Sequence, residues 1–562
     1  MSCPTPSNTP HPTSPSTSSG SATFSHKGRR YLLAPRNRTA GRFPARIVAH
    51  SLHRMDMTEN AAPATNGNHV FCPPEARRYV LVSAILASSM GFIDGSVVSL
   101  AMPIIREDLG ASLVDAQWIS NGYMLFLSAL VLLGGAAGDV FGVRNIFAAG
   151  IVLFMVTSAA CALAVDADML IVMRAAQGVG AALMVPGSLA LIAKSYPNAT
   201  RGRAIGQWAA FSSLTTAMGP FVGGMVLSFG AEWMWRLIFA INVPIGLIAL
   251  AMLFSKVPQD RPSSRRRLDV VGAVLATVGL GLMAWGLTAL GLPAEGQILP
   301  SWLWIVVGAA IFVVFVLWEK RARSPMVKLE LFRSRAFTGA NLYTLVLFFA
   351  FNAILFFLPM TIISGWGARE WEASLLFVPL SLFIAALSSY SGRLADAIGP
   401  RLPLTLGAVL VGISYAGLAL TMPLMMLWQV TFPVLLLKGL GMAIVVSPIS
   451  AAVMRATPDE DTGLASGINN ALARAAGLMA VAALGAVAGI VFAQVSGNVV
   501  AGVEFGALLA APLDPAAEML RVQATNSAFE AIAWIAAAMC WLAALVAWFT
   551  QPSWETSEKA SR

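Results

Sequence analysis

Fourteen apolar runs, each roughly 18 to 25 residues long, succeed one another from about residue 79 to residue 549, and they decide what this chain folds into. Their approximate bounds are 79–105, 115–136, 146–165, 169–194, 203–228, 236–254, 270–292, 302–318, 337–363, 371–391, 402–422, 430–453, 465–494 and 528–549. About 20 apolar residues wound as a helix cross a bilayer core, and a helix satisfies its own backbone hydrogen bonds there. The expected fold class is therefore all-α, a polytopic membrane protein with 14 transmembrane helices. Composition agrees: hydrophobic residues make up 57% and charged residues 12%, about half the charged share of a soluble domain.

Charge placement sets the orientation. Taken alternately, one set of loops holds Arg144; Lys194, Arg201 and Arg203; Lys256, Arg261, Arg265, Arg266 and Arg267; Lys320, Arg321, Arg323, Lys328, Arg333 and Arg335; Arg393 and Arg401; and Arg455. The other set carries little beyond Arg106, Arg369 and Arg521, mixed with Glu107, Asp108, Glu295, Glu370, Glu372 and Glu504. Basic loops face the cytoplasm, so both termini are expected inside. The net charge of +9 implies no nucleic-acid partner, because the basic residues between the apolar runs fall in these short clusters without aromatic interleaving. Residues 1–76, rich in Ser, Thr, Pro and Asn, read as a disordered cytoplasmic tail. A transit peptide, or translation starting at Met55 or Met57, is the alternative. Residues 551–562 read as a second cytoplasmic tail.

Chemistry is constrained by what is missing. All five histidines lie at or before His69, and Cys3, Cys72, Cys161 and Cys540 have no paired spacing, so no metal site is expected. Carboxylates are left as proton carriers. Asp94 is the one ionisable residue between Arg78 and Arg106 apart from Tyr79, and at about 1.5 Å per residue it lies roughly 18 to 24 Å from either end of its run. A charge at that depth costs roughly 2.5 to 3.5 kcal/mol and faces a bundle interior or a cavity. Either it is hydrogen-bonded to a neighbouring helix as a structural group, or it is neutral in one access state and ionised in the other, letting a proton and a cation compete.

An internal repeat organises the rest. "GAAGDVFGVR" (Gly135 to Arg144) and "GRLADAIGPR" (Gly392 to Arg401) share Gly135/Gly392, Asp139/Asp396, Gly142/Gly399 and Arg144/Arg401, each pair 257 residues apart. Singly, these residues suit a tight basic turn; two copies in register imply two related halves. The offset spans eight runs rather than six, so the seventh and eighth read as an inserted pair. The expected organisation is a six-helix bundle at 77–256, a linker with two extra helices at 257–335 and a second bundle at 336–550. Repeated halves around a cavity are the architecture of secondary transporters.

Three further stretches stand out. "LIVMRAAQGVGAALMVPGS" (Leu170 to Ser188) puts Arg174 and Gln177 in the fourth run; Arg174 either meets Asp94 or snorkels to the interface. "AMGPFVGGMV" (Ala217 to Val226) holds Gly219, Pro220, Gly223 and Gly224, a small-residue face that admits another helix closely. "WMWRLIFAINVPIG" (Trp233 to Gly246) opens the sixth run.

From about residue 78 to 550 the chain resembles the fourteen-helix drug:proton antiporters of the major facilitator superfamily, the multidrug efflux group. Asp94, Ala101 and Pro103 are similar to that group's first-helix pattern, whose Asn is Ser99 here. The duplicated turns resemble the superfamily's loop between helices two and three, with Val140 and Val143 at commonly basic positions. Arg174, Gln177, Gly178 and Gly180 match the helix-four pattern. Gly219, Pro220, Gly223 and Gly224 resemble the antiporter motif of helix five, which the resemblance ties to export. It implies proton coupling at Asp94 and Arg174, gating at the two turns, and no cofactor beyond the proton motive force.

Asn121, Tyr123, Gln177 and Asn341, with Gln207, Asn352, Asn469 and Asn470, are candidate polar residues of a substrate cavity that adaptable Met and Phe side chains would complete. No second mid-membrane carboxylate is expected. The function read from all this is proton-driven export of amphipathic small molecules, cationic ones foremost. A dedicated exporter of one metabolite or antibiotic is the alternative, and a proton symporter stands behind it. No Walker A sequence, catalytic cluster or appended signalling domain supports an ATP-driven pump, an enzyme or a receptor. The expected surroundings are a lipid bilayer, that of the bacterial inner membrane, with protons and a small-molecule substrate as partners; a periplasmic adaptor is left open.

Overall fold

The computed structural model describes residues 71–260, 267–293, 297–497, 502–509 and 512–553. Most of the expected N-terminal tail, the C-terminal residues from 554 on, and Arg261, Arg265, Arg266 and Glu295 lie outside them.

Among the described residues, fourteen helices are long and apolar enough to cross a membrane. They are α1 (Pro74–Leu109), α2 (Leu113–Phe141), α3 (Val143–Ala162), α4 (Ala167–Ser195), α5 (Asn198–Leu227), α6 (Glu232–Lys256), α7 (Val270–Ala289), α8 (Ser301–Glu319), α9 (Arg335–Gly365), α10 (Glu370–Ile398), α11 (Arg401–Leu424), α12 (Leu427–Arg455), α13 (Asp459–Ser496) and α14 (Pro515–Thr550). Side-chain caps fix several starts. Ser112 and Asp115 form a reciprocal capping box on α2, Asp166 accepts from Met169 N at 2.7 Å on α4, and Asp269 accepts from Gly272 N at 2.8 Å on α7. In the repeated turns Gly142 (φ 93°) and Gly399 (φ 81°) both hold positive φ, which explains why glycine stands at that place in each copy.

Two helices depart from the apolar runs. Proline starts α1 at residue 74, five residues ahead of the apolar stretch. More consequentially, α14 begins at Pro515, capped by Asp514, rather than near 528. Its polar first turns are held by Arg521, which donates to both oxygens of Glu518 at 2.7 and 2.8 Å. Glu530 is thereby the sixteenth residue of this 36-residue helix, where its polar first turns give way to the apolar stretch.

Helices α1 to α6 pack on one another, as do α9 to α14, while α7 and α8 pair together with α7 lying against α2 and α13. Between the two groups, α2 packs on α13, α5 on α10 and α1 on α9. Under the repeat α2 corresponds to α10 and α5 to α13, so the α2–α13 and α5–α10 contacts exchange with each other. That is the signature of an approximate two-fold relation.

Candidate functional site

Asp94 of α1 is completely buried, and two residues one turn apart on α4 meet it. Its Oδ2 accepts from Arg174 Nη1 at 2.5 Å, and its Oδ1 accepts from Gln177 Nε2 at 3.0 Å. The i, i+3 spacing on α4 is what puts both donors on one face. Arg174, only 2% exposed, also donates to Gln177 Oε1 at 2.7 Å and to the Ile119 carbonyl of α2 at 3.0 Å. Its guanidinium lies over the Tyr123 ring at 4.4 Å and faces Phe239 of α6 at 5.7 Å. Rather than snorkelling, Arg174 is spent inward.

The network continues through residues that the sequence did not single out. Gln177 donates to Ser158 Oγ of α3 at 3.3 Å, Asn242 of α6 donates to the same oxygen at 2.9 Å, and Ser158 donates to the Phe239 carbonyl at 2.9 Å. Five of the first six helices thus converge on one ion pair. Its partners satisfy the pair on most sides, which is what a buried pair requires to be tolerated.

Of the other cavity candidates, Tyr123 joins this cluster through Arg174. Asn121 is buried with neither amide atom hydrogen-bonded among the described residues. Asn341 lies apart, between α9 and α13, where Asn469 donates to it at 3.2 Å and to Thr344 at 2.6 Å. Where the halves meet, a cavity of about 30 Å³ is lined by Gly95 and Ser99 of α1, Ser120 and Met124 of α2, Asn352 of α9 and Gly477 of α13, among others. It holds little more than a water.

The helix-five motif does two jobs. Gly219 and Gly223 face α1: a Cβ on Gly219 would lie 3.4 Å from Ile93 Cα, and one on Gly223 would collide with Val97. The motif therefore packs on the helix that carries Asp94. Gly224 faces the other half, where a Cβ would come within 2.6 Å of Ser374 Cβ and 2.7 Å of the Glu370 carbonyl. Beside it Ser228 donates to Glu370 at 3.2 Å and accepts from Trp371 N at 3.0 Å. At the same end Arg106 pairs with Glu504 at 2.7 Å, so this end is sealed between the halves.

The repeated turns do not pair Asp with Arg within a copy. Asp139 meets Lys194 at the end of α4 at 3.7 Å, and Asp396 meets Arg455 at the end of α12. Arg144 stacks on Phe254 at 5.2 Å and Arg401 on Trp548 at 3.9 Å, each an aromatic of the last helix in its half. Asp260 adds a second carboxylate to the turn of the first half, accepting from Val143 N at 2.9 Å and Arg144 N at 3.0 Å and lying 3.5 Å from Lys194. Nearby Tyr196 donates to the Arg77 carbonyl at 2.9 Å, tying α1 to the end of α4, and burial pushes its phenol pKa up.

A second register links α4 and α12: Gln177 to Lys438, Gly178 to Gly439, Gly180 to Gly441 and Lys194 to Arg455 are each 261 residues apart. Packing obeys it. Gly178 and Gly439 receive α2 and α10, while Gly180 and Gly441 receive α3 and α11. That signal was present in the sequence, and it leads to Lys438, a buried lysine that hydropathy alone passes over. Arg474 of α13, half-buried and near Tyr123, was missed in the same way.

Residues 84–482 match the family model described as Major Facilitator Superfamily. The Tetracenomycin C resistance and export protein of Streptomyces glaucescens is 31% identical over 419 residues, covering 72% of this chain and 74% of that one. Multidrug resistance protein Stp of Mycobacterium tuberculosis (strain CDC 1551 / Oshkosh) is 31% identical over 414 residues, 72% of this chain and 75% of that one. Among solved structures, a bacterial homolog of the human lysosomal transporter Spinster, inward-facing and unoccupied, superposes with a TM-score of 0.59 at 17% identity, covering 86% of this chain and 99% of that one. At that identity the likeness speaks for the fold alone.

Proposed function

The chain belongs to the major facilitator superfamily and is a multi-pass membrane transporter of small molecules, and from that premise we propose that it exports amphipathic, chiefly cationic compounds in exchange for protons. The observation that carries the reading is the buried Asp94–Arg174–Gln177 cluster on the helix against which the helix-five glycines pack. A proton reaching Asp94 cancels its charge and leaves Arg174 buried without a counter-ion. Removing one partner of a buried pair costs about 3 to 5 kcal/mol, enough to move a two-state equilibrium by more than a hundredfold. Proton binding therefore loosens α1 from α4, and α1 carries that change to Gly219 and Gly223. An ionised Asp94 instead offers a counter-charge to a cationic substrate, so proton and substrate exclude one another.

In this reading the halves 77–256 and 336–550 rock about the cavity, with 257–335 as an inserted pair. The turns at Gly135, Asp139, Gly142 and Arg144 and at Gly392, Asp396, Gly399 and Arg401 latch one access state; Gly224 seals the opposite end. Asn121, Tyr123, Gln177 and Asn341 contribute polar contacts. In this reading the basic end faces the cytoplasm, in keeping with the positive-inside rule, and the protein sits in a bacterial inner membrane, driven by the proton motive force alone. A relative named for one compound, tetracenomycin C, supports the narrower reading of a single-antibiotic exporter.

The deciding experiment is substrate-evoked proton movement in reconstituted vesicles across a panel of lipophilic cations and neutral drugs, wild type against Asp94→Asn. Release of lumenal protons by wild type and none by the variant is expected. Normal coupling in Asp94→Asn would remove the assignment.

A further inference from the structure

Lys438 sits eleven residues into α12 and is 1% exposed, and its Nζ has no hydrogen-bond partner among the described residues. Two rings face it instead, Phe351 of α9 at 5.6 Å and Phe377 of α10 at 5.2 Å. Ionisable groups on the helices packed against α12 are engaged elsewhere. On α9, Tyr343 donates to the Leu404 carbonyl and Arg335 to that of Phe549. On α10, Glu370 meets Ser228, Glu372 accepts from Arg369 N, and Asp396 meets Arg455, while Tyr390 and Arg393 are exposed. On α11, Arg401 stacks on Trp548, and the buried Tyr415 hydroxyl makes no hydrogen bond; on α13, Arg474 lies near Tyr123. Among the described residues no carboxylate lies within ion-pair distance of Lys438.

The two registers say what this place is. Gln177, which touches Asp94, corresponds to Lys438; at the 257-residue offset Asp94 itself corresponds to Phe351, which faces Lys438. The second half thus keeps the geometry of the coupling site but holds a lone amine where the first half holds a compensated ion pair. A buried ammonium without a counter-ion is strongly disfavoured against the neutral amine, and quadrupole attraction from two rings offsets only part of that cost.

We infer that Lys438 is a second proton-carrying group of the transport cycle, acting in the C-terminal half at the place where Gln177 stands in the N-terminal half. This rests on the antiport reading above. In the arrangement described, with the sparsely charged end sealed, the amine is neutral. When the halves rock and water reaches Nζ from that end, its lone pair takes a proton from hydronium and leaves water. On return between the rings the N–H bond breaks, the electron pair stays on nitrogen, and the proton passes to water at the basic end. One proton is thereby added to the count carried at Asp94.

The test uses the full chain in proteoliposomes with ethidium and tetraphenylphosphonium as probes, measuring the proton-to-probe ratio from reversal potentials and the pH dependence of transport. Lys438→Met and Lys438→Gln are expected to transport with one proton fewer per cycle. Lys438→Arg, whose charge cannot be shed, is expected to slow turnover about tenfold or more. An unchanged ratio and pH profile in Met and Gln variants overturns the inference while leaving antiport intact. Wild-type transport with no proton movement overturns both. Should Lys438→Met fail to fold, as judged by thermal unfolding, Lys438→Arg decides: wild-type turnover in that variant rules the proton-carrying role out.

Discussion

Gln177 and Lys438 occupy matched places in the two halves, just ahead of matched glycines on helices that end at the matched cations Lys194 and Arg455, yet one completes a hydrogen-bonded ion pair and the other points at phenyl rings. Helix packing has kept the symmetry because small residues at fixed spacing are needed wherever two helices approach closely. Polar chemistry has not kept it. A scaffold that repeats while its buried charges differ assigns different electrostatic tasks to the same motion, and each prediction below alters one side of that contrast.

Removing Arg174 alone is expected to have the largest effect. Arg174→Leu installs the residue found at the 261-residue offset, Leu435, and leaves Asp94 buried without its cation. The expected loss is about 3 to 5 kcal/mol in stability, together with all coupled transport. The double variant Asp94→Asn/Arg174→Leu should recover most of that stability while staying inactive, because no unpaired charge is left. Thermal unfolding in detergent combined with vesicle transport separates the two; equal instability of single and double variants would show that Arg174 matters for packing rather than charge.

The converse change gives the second half what the first has. Phe351→Asp puts a carboxylate opposite Lys438, and the amine is then held as ammonium. Transport is expected to fall by about tenfold or more, since the proton no longer leaves. Adding Lys438→Gln to Phe351→Asp rebuilds the Gln–Asp contact of the first half without Arg174's counterpart. That variant should restore turnover in part, and no recovery would mean that Phe351→Asp slows transport by disturbing packing rather than by holding the ammonium.

Much of this was legible beforehand. Fourteen spans, the 257-residue repeat, the depth of Asp94 and the close approach at Gly223 follow from hydropathy, charge depth and small-residue spacing, whereas the sequence left open whether Arg174 meets Asp94 or snorkels. What escaped reading was relational. Lys438 and Arg474 look like flecks of polarity within long apolar stretches, and their meaning depends on which helices face them. Asp139 and Arg144 share one turn motif, yet the cation beside Asp139 is Lys194, 55 residues on; a turn motif does not reveal which helix end lies beside it.

The seal at the sparsely charged end follows the symmetry, since Gly224 of α5 touches the other half at Ser374 as Gly485 of α13 touches it at Gln117. Gly224→Ala forces a Cβ to within 2.6 Å of Ser374 Cβ, so the arrangement described should lose about 1 to 3 kcal/mol relative to the alternative access state. Cysteine-accessibility labelling from that end is expected to rise several-fold without loss of folded protein. Unchanged labelling would place the seal at Arg106 and Glu504 instead.

The smallest expected effect concerns the two latches. Asp396 and Arg455 are well exposed, at 66% and 45%, whereas Lys194 is 28% exposed and shared between Asp139 and the buried Asp260, which also caps α3. Exposed pairs contribute about 0 to 1 kcal/mol and are screened by salt. Arg455→Gln is therefore expected to change thermal stability hardly at all and to lose even that difference at high ionic strength. Lys194→Gln should cost more, up to about 1 kcal/mol, with a weaker salt dependence, because it leaves Asp260 buried without its cation. Both latches stand at the basic end, so each loss should lower the barrier between access states in proportion to its cost and speed exchange more for Lys194→Gln than for Arg455→Gln. The reverse order would mean that the second half, the one with the lone lysine, sets the pace of the rocking motion.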